Sequence, residues 1–153
     1  MTAVSEIAEV SGLDQIRAIF AGKTGYEGIV KTLELRPVSA EEGFIVFMGS
    51  PTQAVYNPLG VVHGGYAATL LDTVMGCAVH TCMKAGQGYT TLELKVAYHR
   101  PLTEASGPVR AEGRAVSVGK RAAFAEGKLF DRNGRLCASA TTTCLVFSRT
   151  SGG

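Results

Sequence analysis

One carboxylate stands alone in the longest apolar run of the chain. From Tyr66 to Met83 the only formally charged residue is Asp72. A carboxylate held in apolar surroundings is partly removed from water, which makes it a better base. It could then activate a water molecule or attack an acyl carbon directly. Asp72 is therefore the first candidate for a catalytic residue.

A pair of glycines precedes this run. Gly64 and Gly65 stand where a helix is predicted to begin, and the first amides of a helix have no partner within it. The positive end of the helix dipole lies behind them, so they suit a carbonyl oxygen that gains negative charge. Glycine also permits close approach because no Cβ intervenes. The pair predicts an oxyanion-type site.

The spacing between the two candidates limits how they can cooperate. Asp72 follows Gly64 by eight residues, which on a helix is about 80° around the axis and roughly 12 Å along it. One chain's Asp72 and Gly64 therefore cannot contact the same small group. Either one of them is structural, or a second copy of the chain brings its Asp72 opposite this Gly64.

The elements that position these residues follow from hydrophobic periodicity. Residues 5–21 are predicted as an amphipathic helix ended by Gly22, and 29–37 and 44–48 as a hairpin. A long buried helix then follows within 57–84. After it come four predicted strands, at 89–100, 107–118, 121–131 and 135–147. This order predicts an α+β fold, a curved antiparallel sheet wrapped around one long central helix.

The first of the four later strands has two unlike faces. A strand places alternate residues on opposite sides of a sheet. The alternation predicts one face with Leu92, Leu94, Val96 and Tyr98, and another with Thr91, Glu93, Lys95 and Ala97.

Composition excludes several classes of function. The chain has 153 residues and a net charge of +2, and it lacks the basic stripe with aromatics that nucleic-acid binding requires. The four cysteines show neither CxxC nor Cys/His spacing, so no metal site is predicted. Asp72 near the centre of the apolar run favours a core helix over a membrane span. No basic region precedes an apolar one near the start of the chain, so a cytoplasmic location is expected.

With these elements in place, one set of residues resembles a known family. The motif of Asn57, His63-Gly64-Gly65 and Asp72, with the strand from Thr90 to Tyr98, resembles the hotdog-fold acyl-CoA thioesterases. The similarity is greatest to the phenylacetate-degradation (PaaI-like) and acyl-CoA thioesterase 13-like branch. It covers residues 25–148.

The resemblance implies a fold, an activity and an assembly. It implies that residues 25–153 form a hotdog thioesterase domain after an N-terminal helical segment at 1–24, within a single-domain chain. The implied reaction hydrolyses an acyl-CoA or aryl-CoA thioester to the free acid and CoA, with no cofactor. The implied assembly is an edge-to-edge dimer that completes the active site, paired further into a homotetramer.

The resemblance also implies roles for individual residues. The Gly64 amide would polarise the thioester carbonyl, and Asp72 of the opposite subunit would act as base or nucleophile. Asn57 and His63 would shape the site, and Thr91 would orient the water. Substrate and CoA contacts are expected at a further six residues: Gly65, Tyr66, Met75, Gly119, Lys120 and Arg121.

Two alternatives from other classes stay open at the level of sequence. A hotdog module could bind acyl-CoA as a sensor or carrier without turnover, although a sensor gains nothing from a costly buried carboxylate. A hotdog dehydratase or hydratase would need a histidine and a carboxylate placed to move protons on carbon. The motif of this chain does not show that arrangement.

Overall fold

The computed structural model describes residues 9–25 and 28–149. The helices are α1 (Gly12–Phe20), α2 (Gly28–Thr32) and α3 (Gly64–Thr81), with short 3-10 turns at Gln53–Val55 and Glu104–Ser106. The strands are β1 (Arg36–Glu41), β2 (Phe44–Gly49), β3 (Gln87–Tyr98), β4 (Val109–Val118), β5 (Ala122–Phe130) and β6 (Leu136–Ser148).

All six strands form one antiparallel sheet around α3. The strand order is β1-β2-β4-β5-β6-β3, and each neighbouring pair is antiparallel. The predicted hairpin is β1–β2, and the predicted meander is β4–β5–β6. The predicted α+β architecture, an antiparallel sheet with one long central helix, is confirmed. In this sheet β3 is an edge strand that carries Thr91.

Helix α3 lies in the core because it is apolar on most of its surface. Leu70, Leu71, Val74, Met75 and Val79 are all 0% exposed. Burying a side chain of this size contributes roughly 1.5–3 kcal/mol each to the free energy of folding. These apolar residues fix the helix against the sheet. They thereby also hold its first and last turns in place.

Two glycines on the sheet let the helix approach closely. Gly113 of β4 pairs with Gly127 of β5, and a Cβ at Gly113 would overlap the backbone of Val74. A Cβ at Gly127 would lie 3.1 Å from the side chains of Leu71 and Met75. Any larger residue at Gly113 would therefore push α3 away from the sheet.

The threonines of α3 are satisfied within the helix. The Thr69 hydroxyl donates to the Gly65 carbonyl at 2.8 Å, and the Thr73 hydroxyl donates to the Thr69 carbonyl at 2.7 Å. These bonds explain how polar residues are accommodated in a core helix. The carboxylate of Asp72 has no such intrahelical partner and is bonded from a strand instead.

Two predicted boundaries of the N-terminal region were wrong. Residues 29–32 of the predicted strand 29–37 belong to helix α2, and the strand begins only at Arg36. Val30 packs on the core from this helix, and such tertiary packing outweighs the strand preference of Ile and Val. Glu34, at φ 53°, ends the turn that follows.

Within the described residues, the predicted helix at 5–21 is helical only from Gly12. Helix α1 begins at Gly12 because Ser11 caps it, accepting a 3.2 Å hydrogen bond from the Asp14 amide. Residues 5–8 of that prediction lie outside the described residues. The predicted end is confirmed, since α1 stops at Phe20 and Gly22 has φ 71°.

A bulge changes the predicted faces of β3. The pairing of β3 with β6 shifts between Thr91 and Glu93, so Leu92 is an extra residue and is 61% exposed. The alternation predicted from sequence was therefore wrong at this point. Thr91 faces α3 together with Leu94 and Val96, which pack against the core.

No helix among the described residues is long and apolar enough to cross a membrane.

Candidate active site

Asp72 is held from the neighbouring strand. It is half-buried on α3, and the Thr91 hydroxyl of β3 donates to its Oδ1 at 3.0 Å. A hydrogen bond to an ionised oxygen is stronger than one between neutral groups and fixes its orientation. The second carboxylate oxygen has no protein hydrogen bond in the described part of the chain. It is available to a water molecule or a substrate.

Asp72 opens onto an apolar cavity of about 420 Å³. Residues of α1, α2, α3 and β3 line it, together with one residue each of β1 and β2. The apolar lining includes Ile16, Ile19, Phe20, Val30 and Phe47. Cavities of this size and character are typical of small-molecule sites, in which a few polar groups set the orientation of the ligand.

A cysteine also lines this cavity but is unsuited to nucleophilic attack. Burial, and then the negative charge of Asp72, raise the pKa of Cys77 to about 12. Because the thiolate is the nucleophilic form, Cys77 is inert at neutral pH.

The N-terminus of α3 presents one free amide. His63 is the N-cap, and its Nδ1 accepts a 2.8 Å hydrogen bond from the Gly65 amide. The amide of Gly64 has no acceptor among the described residues. This free N–H, at the positive end of an 18-residue helix, is what an oxyanion site requires.

Gly64 lies in a different cavity from Asp72. Its cavity measures about 280 Å³ and also contains His63, Tyr98, Arg100 and Leu102. The two cavities share no lining residue. The helical spacing predicted that Gly64 and Asp72 of one chain are separated, and in the structure they line two different cavities.

Tyr98 is a site residue that sequence reasoning did not assign. Its hydroxyl donates to the Gly64 carbonyl at 2.7 Å, so it fixes the first peptide unit of α3. The alternation of β3 gave its position on the strand, but its contact with a residue 34 positions earlier depends on the fold.

Asn57 holds the loop that leads into the helix. Its Oδ1 accepts hydrogen bonds from the amides of Leu59 at 2.9 Å and Val61 at 3.4 Å. The His63 amide in turn donates to the Val55 carbonyl at 2.8 Å. Asn57 and His63 therefore position the free amide of Gly64 through the loop and the cap.

Two of the expected substrate-contacting residues of α3 are deeply buried. Tyr66 is 4% exposed, and its hydroxyl, which lies against Gly49, has no hydrogen-bond partner among the described residues. Burial, then the charge of Glu34, raise the pKa of Tyr66 to about 12. Met75 is 0% exposed and packs beside Gly127 of the sheet. Both side chains lie in the core in a single chain.

The expected CoA-contacting turn is exposed. Gly119, Lys120 and Arg121 connect β4 to β5. The Arg121 carbonyl accepts a 2.9 Å hydrogen bond from Val146, which pairs with Tyr89 of β3. The turn thus lies at the same end of the sheet as the Asp72 cavity.

The described residues contain no group of three or more His, Cys, Asp or Glu side chains that could hold a metal ion.

Comparison with known proteins decides the family. The family model described as "Thioesterase superfamily" matches residues 59–138, a range that contains α3, β3 and both candidate residues. The chain belongs to the thioesterase superfamily. A solved structure of a phenylacetic acid degradation-related protein from Ralstonia eutropha has a TM-score of 0.76 and 27% identity, over 84% of this chain and 97% of that one.

Two curated relatives of this thioesterase superfamily member are named as a thioesterase and as a CoA hydrolase. One is the proofreading thioesterase EntH of Klebsiella pneumoniae, 33% identical over 55% of this chain and 60% of the relative. The other is the 1,4-dihydroxy-2-naphthoyl-CoA hydrolase of Escherichia coli, 29% identical over 59% and 65%. The chain spans 59–65% of the length of the first three curated relatives it matches.

Proposed function

We propose that this protein hydrolyses an acyl-CoA thioester to a free acid and CoA. The observation that carries the proposal is the half-buried Asp72 carboxylate, oriented by Thr91 at 3.0 Å, beside an apolar cavity of about 420 Å³. A base next to an apolar cavity suits a reaction in which water attacks a carbonyl attached to an apolar acyl group. Membership of the thioesterase superfamily and the thioesterase and CoA hydrolase names of its relatives support the same chemistry.

The proposed reaction uses one carboxylate and one amide. Asp72 takes a proton from a water molecule while the oxygen of that water bonds to the thioester carbon. The free Gly64 amide donates to the carbonyl oxygen as that oxygen becomes negative. The tetrahedral intermediate then expels the CoA sulfur as the C–S bond breaks, and the sulfur receives the proton.

The proposed active site contains residues of two chains. Within one chain, Gly64 and Asp72 line separate cavities and are roughly 12 Å apart along the helix axis. A symmetric dimer would place Asp72 of each copy opposite Gly64 of the other and create two equal sites. The exposed turn at Gly119, Lys120 and Arg121 would provide cations for the phosphates of CoA.

The experiment is a release assay with a matched variant. Free thiol is followed with a thiol reagent over short, medium, long and aryl CoA esters, for the wild type and for Asp72→Asn. The variant keeps the shape of the side chain but removes the base, so kcat should fall by about 10²–10⁴, with an unchanged circular dichroism spectrum. Glu126→Gln, on the exposed face of β5, is the control and should keep wild-type turnover.

Two outcomes would contradict the proposal. If Asp72→Asn turned over every ester as fast as the wild type, Asp72 would have no role in the chemistry. If the wild type bound acyl-CoA and released no thiol from any ester, the protein would be an acyl-CoA-binding module.

A further inference from the structure

The first turn of α3 contains three amides with different partners. The Gly65 amide donates to His63 Nδ1 at 2.8 Å, and the Tyr66 amide donates to the His63 carbonyl at 3.0 Å. The Gly64 amide has no acceptor among the described residues. The direction in which this free N–H points therefore depends on what holds Gly64 itself.

One side chain packs directly on Gly64. Outside the backbone of the helix, the heavy atoms nearest to a Cβ built on Gly64 are Oη, Cζ and Cε1 of Tyr98, at 3.0, 3.1 and 3.3 Å. The Tyr98 hydroxyl also donates to the Gly64 carbonyl at 2.7 Å. The tyrosine thus contacts Gly64 at two points, with its ring and with its hydroxyl. Because glycine has a wide range of backbone conformations, this contact restricts the residue that carries the free amide.

The peptide unit that follows Gly64 is held from both sides. It consists of the Gly64 carbonyl and the Gly65 amide, which lie in one plane. The carbonyl accepts from Tyr98, and the amide donates to His63 Nδ1. Hydrogen bonds linked in this way polarise one another and become stronger. Loss of the Tyr98 hydroxyl would therefore leave this peptide unit held only by the histidine.

Strand β3 provides the tyrosine from a fixed position. Tyr98 pairs with Ala138 of β6, so its backbone is part of the sheet. The same strand carries Thr91, whose hydroxyl donates to Asp72 at 3.0 Å. One strand therefore orients both proposed reacting groups of its chain, the carboxylate and the residue with the free amide, and it does so each time through a side-chain hydroxyl.

We propose that Tyr98 is a positioning residue for the oxyanion site, and that its hydroxyl holds the free Gly64 amide in the direction of the thioester carbonyl oxygen. The inference rests on the proposed function, because it needs a carbonyl oxygen that gains negative charge at this amide. A donor with a fixed direction needs no reorientation as that charge develops. Without the hydroxyl, Gly64 gains conformational freedom and its amide loses this fixed direction. The charge is largest in the transition state, so the loss acts on kcat more than on KM.

The first test is Tyr98→Phe, which keeps the ring on Gly64 and removes the donor. Tyr98 is 55% exposed, so the variant should fold, and circular dichroism checks this. In the thiol-release assay kcat should fall about tenfold, the value of one hydrogen bond, while KM stays close to the wild-type value. Ser139→Ala is the matched control. It removes an exposed 2.8 Å hydrogen bond to His99, the next residue of β3, and should keep the wild-type kcat.

A vibrational measurement separates positioning from general damage. Phenylacetyl-CoA and octanoyl-CoA, each with ¹³C at the thioester carbonyl, are bound to Asp72→Asn, and the carbonyl stretch is followed by difference infrared spectroscopy. A hydrogen bond to a carbonyl oxygen weakens the C=O bond and lowers its stretching frequency. Adding Tyr98→Phe to Asp72→Asn should therefore move the band to higher frequency. Adding Ser139→Ala should leave the band in place.

The outcomes distinguish this inference from the proposed function. If the wild type hydrolyses an ester and Tyr98→Phe has the same kcat, this inference is wrong and the proposed function stands. A lower kcat without movement of the carbonyl band, or a loss that lies in KM, also overturns this inference alone. A band that moves in Tyr98→Phe, in a protein that releases no thiol from any ester, contradicts the proposed function alone. If neither labelled ester binds, both proposals are wrong.

Discussion

The Thr91 hydroxyl on β3 donates a 3.0 Å hydrogen bond to Asp72 Oδ1 on α3, and both residues belong to the same chain. This bond uses one carboxylate oxygen, and the other accepts no hydrogen bond from the described residues. In the proposed reaction Thr91 therefore acts through Asp72, as a positioning residue. Its own oxygen can also accept a hydrogen bond from the attacking water.

Replacing Thr91 tests this bond directly. Thr91→Val keeps the shape of the side chain and removes the donor, so kcat should fall about tenfold for a lost hydrogen bond. Thr91→Ser should restore most of the activity, because it restores the hydroxyl. Thr90→Val, at the exposed neighbouring position, is the control. Equal kcat in Thr91→Val and the wild type would show that the bond has no role in turnover.

The bond between Thr91 and Asp72 could not have been derived from alternation along the strand. Strict alternation places Thr91 opposite Leu94 and Val96, on the face away from α3. The bulge at Leu92 reverses that phase, and a bulge depends on how β3 pairs with β6, which a single strand does not encode. The family resemblance implied a role for Thr91 beside Asp72. The bulge explains how Thr91 comes to face α3.

The long helix was far more predictable than the elements around it. Its apolar run, and the eight-residue spacing from Gly64 to Asp72, are local properties and fix both residues on one helix. The Gln15–His80 bond instead joins residues 65 positions apart. His80 lies on the same helix as Asp72, eight residues beyond it, so the sequence predicted only its place on that helix. Its partner on α1 was not predictable.

The free amide of Gly64 can be removed without breaking the helix. Gly64 is the first residue of α3, a position where proline is favoured because its N–H is unpaired anyway. His63 has φ −59° and ψ 135°, the extended conformation that a residue before proline requires. Gly64→Pro should therefore fold and lose about 10²–10³ in kcat, the value of one oxyanion donor.

The matched control for that change is Gly64→Ala. It adds a Cβ that would lie 3.0 Å from the Tyr98 hydroxyl, as proline does, but it keeps the N–H. Activity is measured by thiol release, and helix content by circular dichroism. Equal activity in the proline and alanine variants would exclude this amide from the reaction.

Two tyrosines should respond in opposite ways to loss of their hydroxyl groups. The Tyr66 hydroxyl is buried and has no hydrogen-bond partner in the part of the chain that the structure describes, so Tyr66→Phe should raise the free energy of unfolding by about 1 kcal/mol. The Tyr56 hydroxyl accepts a 2.7 Å hydrogen bond from the Glu104 amide, so Tyr56→Phe should lower it by about 1 kcal/mol. Urea denaturation, with equal m-values, measures both changes. Destabilisation by Tyr66→Phe would mean that its hydroxyl has a partner in solution.

Mixing two inactive variants tests whether the site is shared between chains. If Gly64 of one copy works with Asp72 of the other, a dimer of one Asp72→Asn chain and one Gly64→Pro chain contains one intact site and one doubly damaged site. Random mixing makes half of all dimers mixed, so activity should recover to about a quarter of the wild-type value. Activity is measured after the two proteins are refolded together, and differently tagged chains show how many mixed dimers form.

A second mixture provides the control, because Thr91 and Asp72 are bonded within one chain. Mixing Asp72→Asn with Thr91→Val should give no recovery beyond the average of the two, since each site then contains one damaged member of the same pair. Recovery in the first mixture alone requires that the amide and the carboxylate come from different copies. If mixed dimers form and the first mixture stays inactive, each site is built from a single chain, and the amide of Gly64 does not serve the Asp72 of its partner.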